Sequence, residues 1–219
     1  MRSKNLLFLI TFLCSTIAFA QQKTPFYQEI EAFKKADSLQ MPVKNGILFV
    51  GSSSFTMWKD LEKTYQKYQA INRGFGGSNL ANAIYYADDI IFPYQPRQII
   101  IYSGENDIAE GATPDVTFDR FKILFSLIRK KMPNVAISFI SIKPSLSREK
   151  LMPQMLYTNE LIKIFLSSQT NVSYIDVYSL MLQDNGKPMS DIFIKDNLHM
   201  NQKGYDIWIK TIAPYLIQP

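Results

Sequence analysis

Residues 98–107 read QIIIYSGEND, a short apolar run that ends in a glycine and three polar residues. The run is rich in β-branched and aromatic side chains without polar alternation, which is typical of a strand buried on both faces of a parallel sheet. Four further runs indicate four more strands, the second of them weaker than the rest: residues 46–51 (GILFVG), 68–72 (YQAIN), 135–141 (VAISFIS) and 172–177 (VSYIDV).

The segments between these runs carry apolar residues at helical spacing. They predict helices over residues 26–38, 80–91, 113–132, 149–168 and 202–216. Their apolar stripes are interpreted as faces that pack on a core, not as a ligand groove. Strands that alternate with helices predict an α/β protein with a parallel sheet of five strands, covered by helices on both faces.

Composition and charge exclude several classes of protein. The 219 residues are 47% hydrophobic and 20% charged, which argues against a disordered, collagen-like or coiled-coil chain. The net charge is +5, and the longest basic run, Arg129–Lys131, is interpreted as a solvated helix end. Because the basic residues are scattered, no nucleic-acid partner is expected.

The first twenty residues resemble a secretory signal peptide. Arg2 and Lys4 precede the apolar run 6–13, and small residues close the segment at Ala20. We expect cleavage after Ala20, which leaves residues 21–219 as a single catalytic domain that is periplasmic or secreted and not stably inserted in a membrane. An uncleaved anchor, or lipid attached at Cys14, is the alternative. Cys14 is the single cysteine, so the mature chain would hold no disulfide and no thiolate metal site.

Polar residues and glycines collect where the predicted strands end. Gly51–Ser54 follows the first strand, 72–78 (NRGFGGS) the second and Gly104–Asp107 the third, and Asp196–His199 lies near the C-terminus. Each segment alone has an ordinary structural explanation, such as a helix cap or a turn. In parallel sheets, however, the carboxyl ends of the strands form the binding edge. We therefore expect these four segments to meet.

The residues in these segments suit acyl transfer, which needs a nucleophile, a base, a group that orients the base and donors for the oxyanion. Ser53 can be the nucleophile, and an imidazole such as His199 accepts protons near neutral pH. Asp196, three residues before His199, can reach the other ring nitrogen across a tight turn. The backbone N–H groups of Ser53 and Gly77 and the amide of Asn106 can donate to the oxyanion.

The four segments resemble, in order, the motifs of the SGNH hydrolases, also called the GDSL esterase/lipase family. Gly51-Ser52-Ser53 matches the Gly-Asp-Ser block, and the glycine block places the oxyanion glycine at Gly77. Gly104–Asp107 matches the Gly-x-Asn-Asp block, with Asn106 as the oxyanion amide. Asp196 with His199 matches the Asp-x-x-His block. The resemblance covers nearly all of the mature chain and implies a flavodoxin-like three-layer α/β/α sandwich with no cofactor and no metal.

One position departs from the family pattern, because Ser52 replaces the usual aspartate of the first block. That aspartate is not the triad acid, so we expect catalysis to survive, although Ser52 and Ser54 remain alternative nucleophiles. The serine block followed by Trp58 looks like the branch near the platelet-activating-factor-type acetylhydrolases and the carbohydrate acetylesterases.

Three further residues and one further motif carry weaker signals. Trp58, Phe75 and Lys143 are candidate substrate contacts, with core packing or an exposed turn as the alternative. Residues 147–150 match Ser-x-x-Lys, but they are interpreted as the start of a surface helix. No Gly-x-Ser-x-Gly elbow and no histidine pair for zinc is present in the sequence.

The resemblance implies an esterase that acts on a small-molecule or glycan ester, most simply by removing O-acetyl groups from carbohydrate. A short-chain lipid esterase or lysophospholipase is the first alternative. A non-catalytic glycan-binding protein and a structural envelope protein on the same fold are the others. The sequence leaves the oligomeric state open.

Overall fold

A computed structural model describes residues 24–219, and the predicted signal peptide, residues 1–20, with its cleavage site lies outside the described residues. The centre of the fold is a parallel sheet with the strand order β2-β1-β3-β4-β5. Its strands are β1 Ile47–Gly51, β2 Ala70–Gly74, β3 Gln98–Tyr102, β4 Ala136–Ile140 and β5 Val172–Ile175. Gly51 pairs with Gly74 on one side and with Tyr102 on the other. The carboxyl ends of β2, β1 and β3 are therefore level.

Helices cover both faces of this sheet. Their bounds are α1 Tyr27–Leu39, α2 Ser53–Thr56, α3 Leu61–Thr64, α4 Leu80–Tyr85, α5 Ala87–Ile90, α6 Glu105–Ala109, α7 Pro114–Lys131, α8 Met152–Ser167 and α9 Gln202–Ile212. Short 3₁₀ helices lie at Gln66–Tyr68, Phe92–Tyr94, Leu146–Leu151, Ser179–Met181 and Ala213–Tyr215. Within the described chain, no helix is both long and apolar enough to cross a bilayer.

Alternate residues of each strand build two separate cores. Leu48 and Val50 of β1 point into a core formed with α1, α4, α5, α7 and α8. Ile47 and Phe49 point to the other face, where α2, α3 and α9 contribute an aromatic core that includes Trp208. Because successive side chains of a strand point to opposite faces, this pattern produces three layers. The predicted flavodoxin-like α/β/α sandwich with five parallel strands is confirmed.

Element boundaries differ from the sequence-based prediction in places. The second strand begins at Ala70 and not at Tyr68, because Gln66–Tyr68 form a 3₁₀ turn and Gln69 adopts a left-handed conformation with φ of 54°. The helix expected over residues 80–91 is two short helices that meet at Tyr86. The Tyr86 ring is buried against Phe75, and its hydroxyl donates to the carbonyl of Pro25.

The prolines account for the remaining differences and for one accurate boundary. Thr113 caps α7 by accepting from the Val116 N–H at 3.3 Å, with Pro114 in the first turn as predicted. Pro153 lies in the first turn of α8, which begins at Met152, and Leu146–Leu151 forms a separate 3₁₀ helix before it. The last helix ends at Ile212, because Pro214 lies in a following 3₁₀ turn.

Candidate active site

Strand β1 delivers Ser53 to the carboxyl edge of the sheet. The strand ends at Gly51, and Ser53 is the first residue of α2. This short helix packs directly on β2, where a Cβ at Gly74 would lie 2.5 Å from the Phe55 Cβ. Only glycine allows this approach of helix and strand. Ser52 and Ser54 are 3% and 2% exposed, whereas Ser53 is only partly buried.

Ser53, His199 and Asp196 form one hydrogen-bonded row. The Ser53 Oγ lies 2.9 Å from the His199 Nε2, and the His199 Nδ1 lies 2.6 Å from an Asp196 carboxylate oxygen. The His199 side chain is 19% exposed and that of Asp196 is 42% exposed, so solvent reaches the row from the aspartate end. Two of the four segments predicted to meet are therefore in contact, and Ser53 is the serine of the block that contacts His199.

The turn that carries Asp196 and His199 is closed by its own hydrogen bonds. The second Asp196 oxygen accepts from the backbone N–H groups of Leu198 and His199, both at 2.9 Å. Asn197 adopts a left-handed conformation with φ of 55°, which asparagine tolerates well. Partial burial on its own would raise the pKa of Asp196, but the hydrogen bonds from the His199 ring and the two N–H groups hold this pKa at about 2. The group is a carboxylate at neutral pH.

The glycine loop after β2 is hydrogen-bonded to the end of β1. The carbonyl of Gly51 accepts from the Phe75 N–H at 3.0 Å and from the Ser78 hydroxyl at 3.2 Å. Between these anchors Gly77 is exposed and has a φ of 73°, a conformation that favours glycine. Among residues 24–219, the Gly77 N–H has no hydrogen-bond acceptor. It remains free to bind a ligand.

Asn106 joins the loop after β3 to this glycine loop. Its amide nitrogen donates to the carbonyl of Ser78 at 2.9 Å, and its amide oxygen accepts from the Arg148 guanidinium at 2.9 Å. The neighbouring Asp107 is fully buried, where it accepts from the Leu80 N–H and forms an ion pair with Arg120 at 2.7 Å. Asp107 therefore fastens α6 to the helices beside it, and Asn106 is left at the edge.

The structure corrects all three of the weaker substrate-contact predictions, and Phe75 and Lys143 are the first two. Phe75 is fully buried, where it meets the rings of Phe26 and Tyr86 edge to face. Lys143 is also fully buried, because its ammonium donates to Glu105 at 3.1 Å and to the carbonyl of Leu198 at 2.8 Å. Neither side chain reaches a surface that a substrate could touch, and Lys143 is not the exposed turn residue of the alternative interpretation either.

Trp58 is the third correction. It is 4% exposed and packs between the rings of Tyr65, Tyr205 and Trp208. It also lines a cavity of about 250 Å³ that is bounded by Phe33, Thr56, Trp58, Lys59, Glu62, Asn72 and Gly74. Neither Ser53 nor His199 lines this cavity, so Trp58 belongs to the core and not to the predicted site.

Sequence reasoning missed Glu105 and Arg148. Residues 147–150 were expected to begin a surface helix, but they lie in the 3₁₀ helix that places Arg148 against Asn106 and Glu105. The Arg148–Asn106 contact spans 42 positions, so no local periodicity signals it. The one available signal was Glu105 itself, a charged residue directly after a strand that the sequence predicts to be buried.

The described residues offer little to a metal ion. Within residues 24–219, no group of three or more histidine, cysteine, aspartate and glutamate side chains is close enough to hold one.

Comparison with known proteins identifies the family of the chain. A sandwich whose strand ends bring serine, histidine and aspartate into one hydrogen-bonded row has the arrangement of a serine hydrolase, a constellation that recurs on unrelated folds. A family model, the GDSL-like Lipase/Acylhydrolase family, matches residues 49–207. The chain therefore belongs to this family of ester hydrolases, and the resemblance drawn from the sequence is confirmed.

Solved structures share the fold at low sequence identity. A Streptococcus pneumonia protein provisionally described as a platelet activating factor has a TM-score of 0.77 and 19% identity, over 87% of this chain and 92% of that chain. A Bacteroides fragilis protein provisionally described as an acylhydrolase has a TM-score of 0.73 and 18% identity, over 88% and 94%. A Bacteroides thetaiotaomicron GDSL-like lipase has a TM-score of 0.73 and 17% identity, over 85% and 96%. None of the curated proteins matches the chain significantly.

Proposed function

We propose that the chain is an exported serine esterase that removes short acyl groups, acetyl above all, from carbohydrate. The observation that carries this proposal is the row in which the Ser53 Oγ lies 2.9 Å from the His199 Nε2 and the His199 Nδ1 lies 2.6 Å from Asp196. Both distances are within the range of a base that accepts the serine proton and a carboxylate that orients the base.

The proposed reaction has two halves. The Ser53 Oγ attacks the ester carbonyl while its proton passes to the His199 Nε2, and the imidazolium then protonates the leaving alcohol. Asp196 keeps the other ring proton on Nδ1 and stabilises the imidazolium. In the second half a water molecule gives its proton to His199 and attacks the acyl-enzyme. Ser53 leaves with its proton restored, and the acid is released.

The oxyanion is proposed to bind where unpaired donors meet. Gly77 contributes its free N–H, and Asn106 contributes the amide hydrogen that Ser78 does not accept. The backbone N–H of Ser53, at the start of α2, is the third donor and has no acceptor among the described residues. Such preorganised donors are each worth about 10²–10³ in kcat.

Two fold relatives support the acetyl-carbohydrate preference. Fold relatives include a carbohydrate esterase family 3 structure from Talaromyces cellulolyticus, with a TM-score of 0.63, and an acetyl esterase with an acetate ion, with a TM-score of 0.64. Between residues 24 and 219 the sequence contains no long apolar insertion that could form a lid over a lipid. Export is proposed from the signal-like residues 1–20.

A lipid esterase is the second candidate, and one observation favours it. Met57 and Ile194 are 37% and 39% exposed, and their backbone N–H groups donate to the carbonyls of Ser53 and His199 respectively. Two exposed apolar side chains on segments that hydrogen-bond to Ser53 and His199 would suit an acyl chain longer than acetyl.

Hydrolysis of p-nitrophenyl esters tests the proposal. We expect the protein to cleave the acetyl ester faster than the octanoyl ester, and Ser53→Ala to abolish both activities. Ser54→Ala, which alters a buried neighbour, is the matched control and should stay active. Acetate release from O-acetylated xylan supports the carbohydrate assignment, whereas preference for the octanoyl ester or a lysophospholipid supports the lipid esterase. Binding of acetylated glycan without turnover would indicate a non-catalytic protein and overturn the proposal.

A further inference from the structure

A buried charged cluster lies directly beneath the site. The Glu105 carboxylate, in a residue 4% exposed, accepts from the Tyr102 hydroxyl, from Lys143 at 3.1 Å and from Arg148 at 3.2 Å. Burial on its own would raise the pKa of Glu105, but the two cations outweigh it and hold this pKa below its ordinary value. Burial also lowers the pKa of Lys143, a shift that Glu105 opposes. One anion thus anchors two cations.

Each cation extends from Glu105 to a different half of the site. Arg148 donates to the amide oxygen of Asn106 at 2.9 Å. Lys143 donates at 2.8 Å to the carbonyl of Leu198, the residue before His199. The 3₁₀ helix that carries Arg148 is tied to the same turn, because the Ser147 N–H donates to the carbonyl of Asn197 at 3.0 Å. The cluster therefore connects the oxyanion side of the site with the histidine side.

The Arg148 contact determines which way the Asn106 amide faces. An amide group is planar and offers an oxygen acceptor and two N–H donors. Here Arg148 occupies the oxygen and the Ser78 carbonyl occupies one N–H. Turning the amide over would place its nitrogen against a guanidinium and its oxygen against a carbonyl, so both contacts would become repulsive. Because the amide oxygen and one N–H are both occupied, the second N–H can point in only one direction.

We propose that Arg148, anchored by the Lys143-bound carboxylate of Glu105, is a positioning residue that holds the Asn106 amide in its oxyanion-donating orientation. The inference rests on the proposed function, because it assigns a device to the same site. Arg148 is suited to this role because its planar fork bonds Glu105 with one nitrogen and Asn106 with another.

A purely structural role makes a different prediction. Buried ion pairs often add little to the free energy of unfolding when compared with apolar side chains of similar size. If Arg148 only stabilised the fold, Arg148→Met would lower activity equally whether or not Asn106 was present. If Arg148 acts through Asn106, the same substitution loses its effect once the amide has been removed.

A double-mutant cycle distinguishes the two roles. The variants are Arg148→Met, Asn106→Ala and the pair, with Lys150→Met as the matched control, a cation removed from an exposed position of the same 3₁₀ helix. We expect Arg148→Met to lower kcat on p-nitrophenyl acetate roughly 10- to 100-fold, the range that misplacement of a reacting group produces. KM should change less than about twofold, and Arg148→Lys should restore only part of the rate.

In the Asn106→Ala background, Arg148→Met should cost less than about twofold in kcat. An equal loss in both backgrounds would overturn the inference and leave the proposed function intact. The proposed function fails separately if the Ser53→Ala variant is as active as the unaltered protein, or if neither hydrolyses any ester.

The Asn106 side-chain signals in NMR spectra test the positioning role without any measurement of activity, so they decide it even if the proposed function fails. In ¹⁵N spectra of the folded protein, the side-chain NH₂ signals of Asn106 can be assigned from their loss in Asn106→Ala. Arg148→Met should shift these signals and speed their exchange with water, and Lys150→Met should leave them in place. Unchanged Asn106 signals in Arg148→Met would refute the positioning role.

Discussion

Replacing Asp196 by asparagine should abolish turnover while preserving the fold. One Asp196 oxygen accepts from the His199 ring at 2.6 Å, and the other accepts from two backbone N–H groups at 2.9 Å. An asparagine can keep the two backbone bonds only if its oxygen stays on them, which places its NH₂ against the ring nitrogen. Turning the amide over would instead strand two N–H donors, at about 1–3 kcal/mol each. The first arrangement therefore prevails.

That arrangement puts the imidazole in the wrong tautomer. An NH₂ that donates to Nδ1 forces the ring proton onto Nε2, so His199 can no longer accept the proton of Ser53. A change of this kind in a serine protease triad lowers kcat about 10⁴-fold, and we expect a loss of about 10³- to 10⁴-fold here. The free energy of unfolding should fall by only about 1 kcal/mol, because the Asp196 side chain is 42% exposed and solvent weakens its hydrogen bond to the His199 ring.

The assay is kcat on p-nitrophenyl acetate, with urea unfolding to measure stability. Asp191→Asn is the matched control, since Asp191 is exposed on the preceding segment and pairs with Lys203 at 2.9 Å. It should retain the activity of the unaltered protein. If Asp196→Asn kept more than about a tenth of the rate, the tautomer argument would be refuted.

Three further predictions follow from the same contacts. Asn106→Ala should lower kcat about 10²- to 10³-fold while the protein still folds, and full activity would exclude the amide from the oxyanion site. Gly74→Ala should lower the free energy of urea unfolding by about 1–3 kcal/mol and also lower kcat. The new Cβ would lie 2.5 Å from the Phe55 Cβ and displace α2, which carries Ser53. Equal stability of the variant would show that α2 can shift freely. The pKa of Asp196 is about 2 in the folded protein, against an ordinary value of 3.8. The ionised carboxylate therefore stabilises the fold above about pH 4, and this stabilisation is lost as the pH falls toward 2. Over that range the free energy of unfolding should fall more steeply for the unaltered protein than for Asp196→Asn. Parallel curves for the two proteins would contradict the lowered pKa of Asp196.

Much of the architecture could be predicted because the strands are buried on both faces. The runs in β1, β3 and β4 are almost uniformly apolar, and their predicted bounds agree with the structure to within one residue. In β2 the two polar residues Asn72 and Arg73 lie side by side between Ile71 and Gly74, so this strand gave a weaker signal, and its predicted start was two residues early. The break at Tyr86 depends on contacts with Pro25 and Phe75, which helical spacing does not encode.

The candidate site also contains residues that could be predicted from the sequence and residues that could not. Ser53, Gly77 and Asn106 follow strand ends. Asp196 and His199 sit in a short motif, so the contact of Ser53 with His199 could be anticipated from topology. Lys143 could not, because its burial depends on Glu105 and Leu198, which lie 38 and 55 positions away. A lysine after a strand is ordinarily exposed, and here a carboxylate and a carbonyl from two other loops make its burial tolerable.

Covalent labelling tests the central claim most directly, because a fluorophosphonate reacts only with an activated serine. The protein is treated with the reagent, digested, and its peptides are mapped by mass spectrometry, in parallel with His199→Ala. We predict one phosphonyl adduct, on Ser53, that is absent from folded His199→Ala. An adduct on Ser52 or Ser54, or a Ser53 adduct that forms equally fast without His199, would contradict the account.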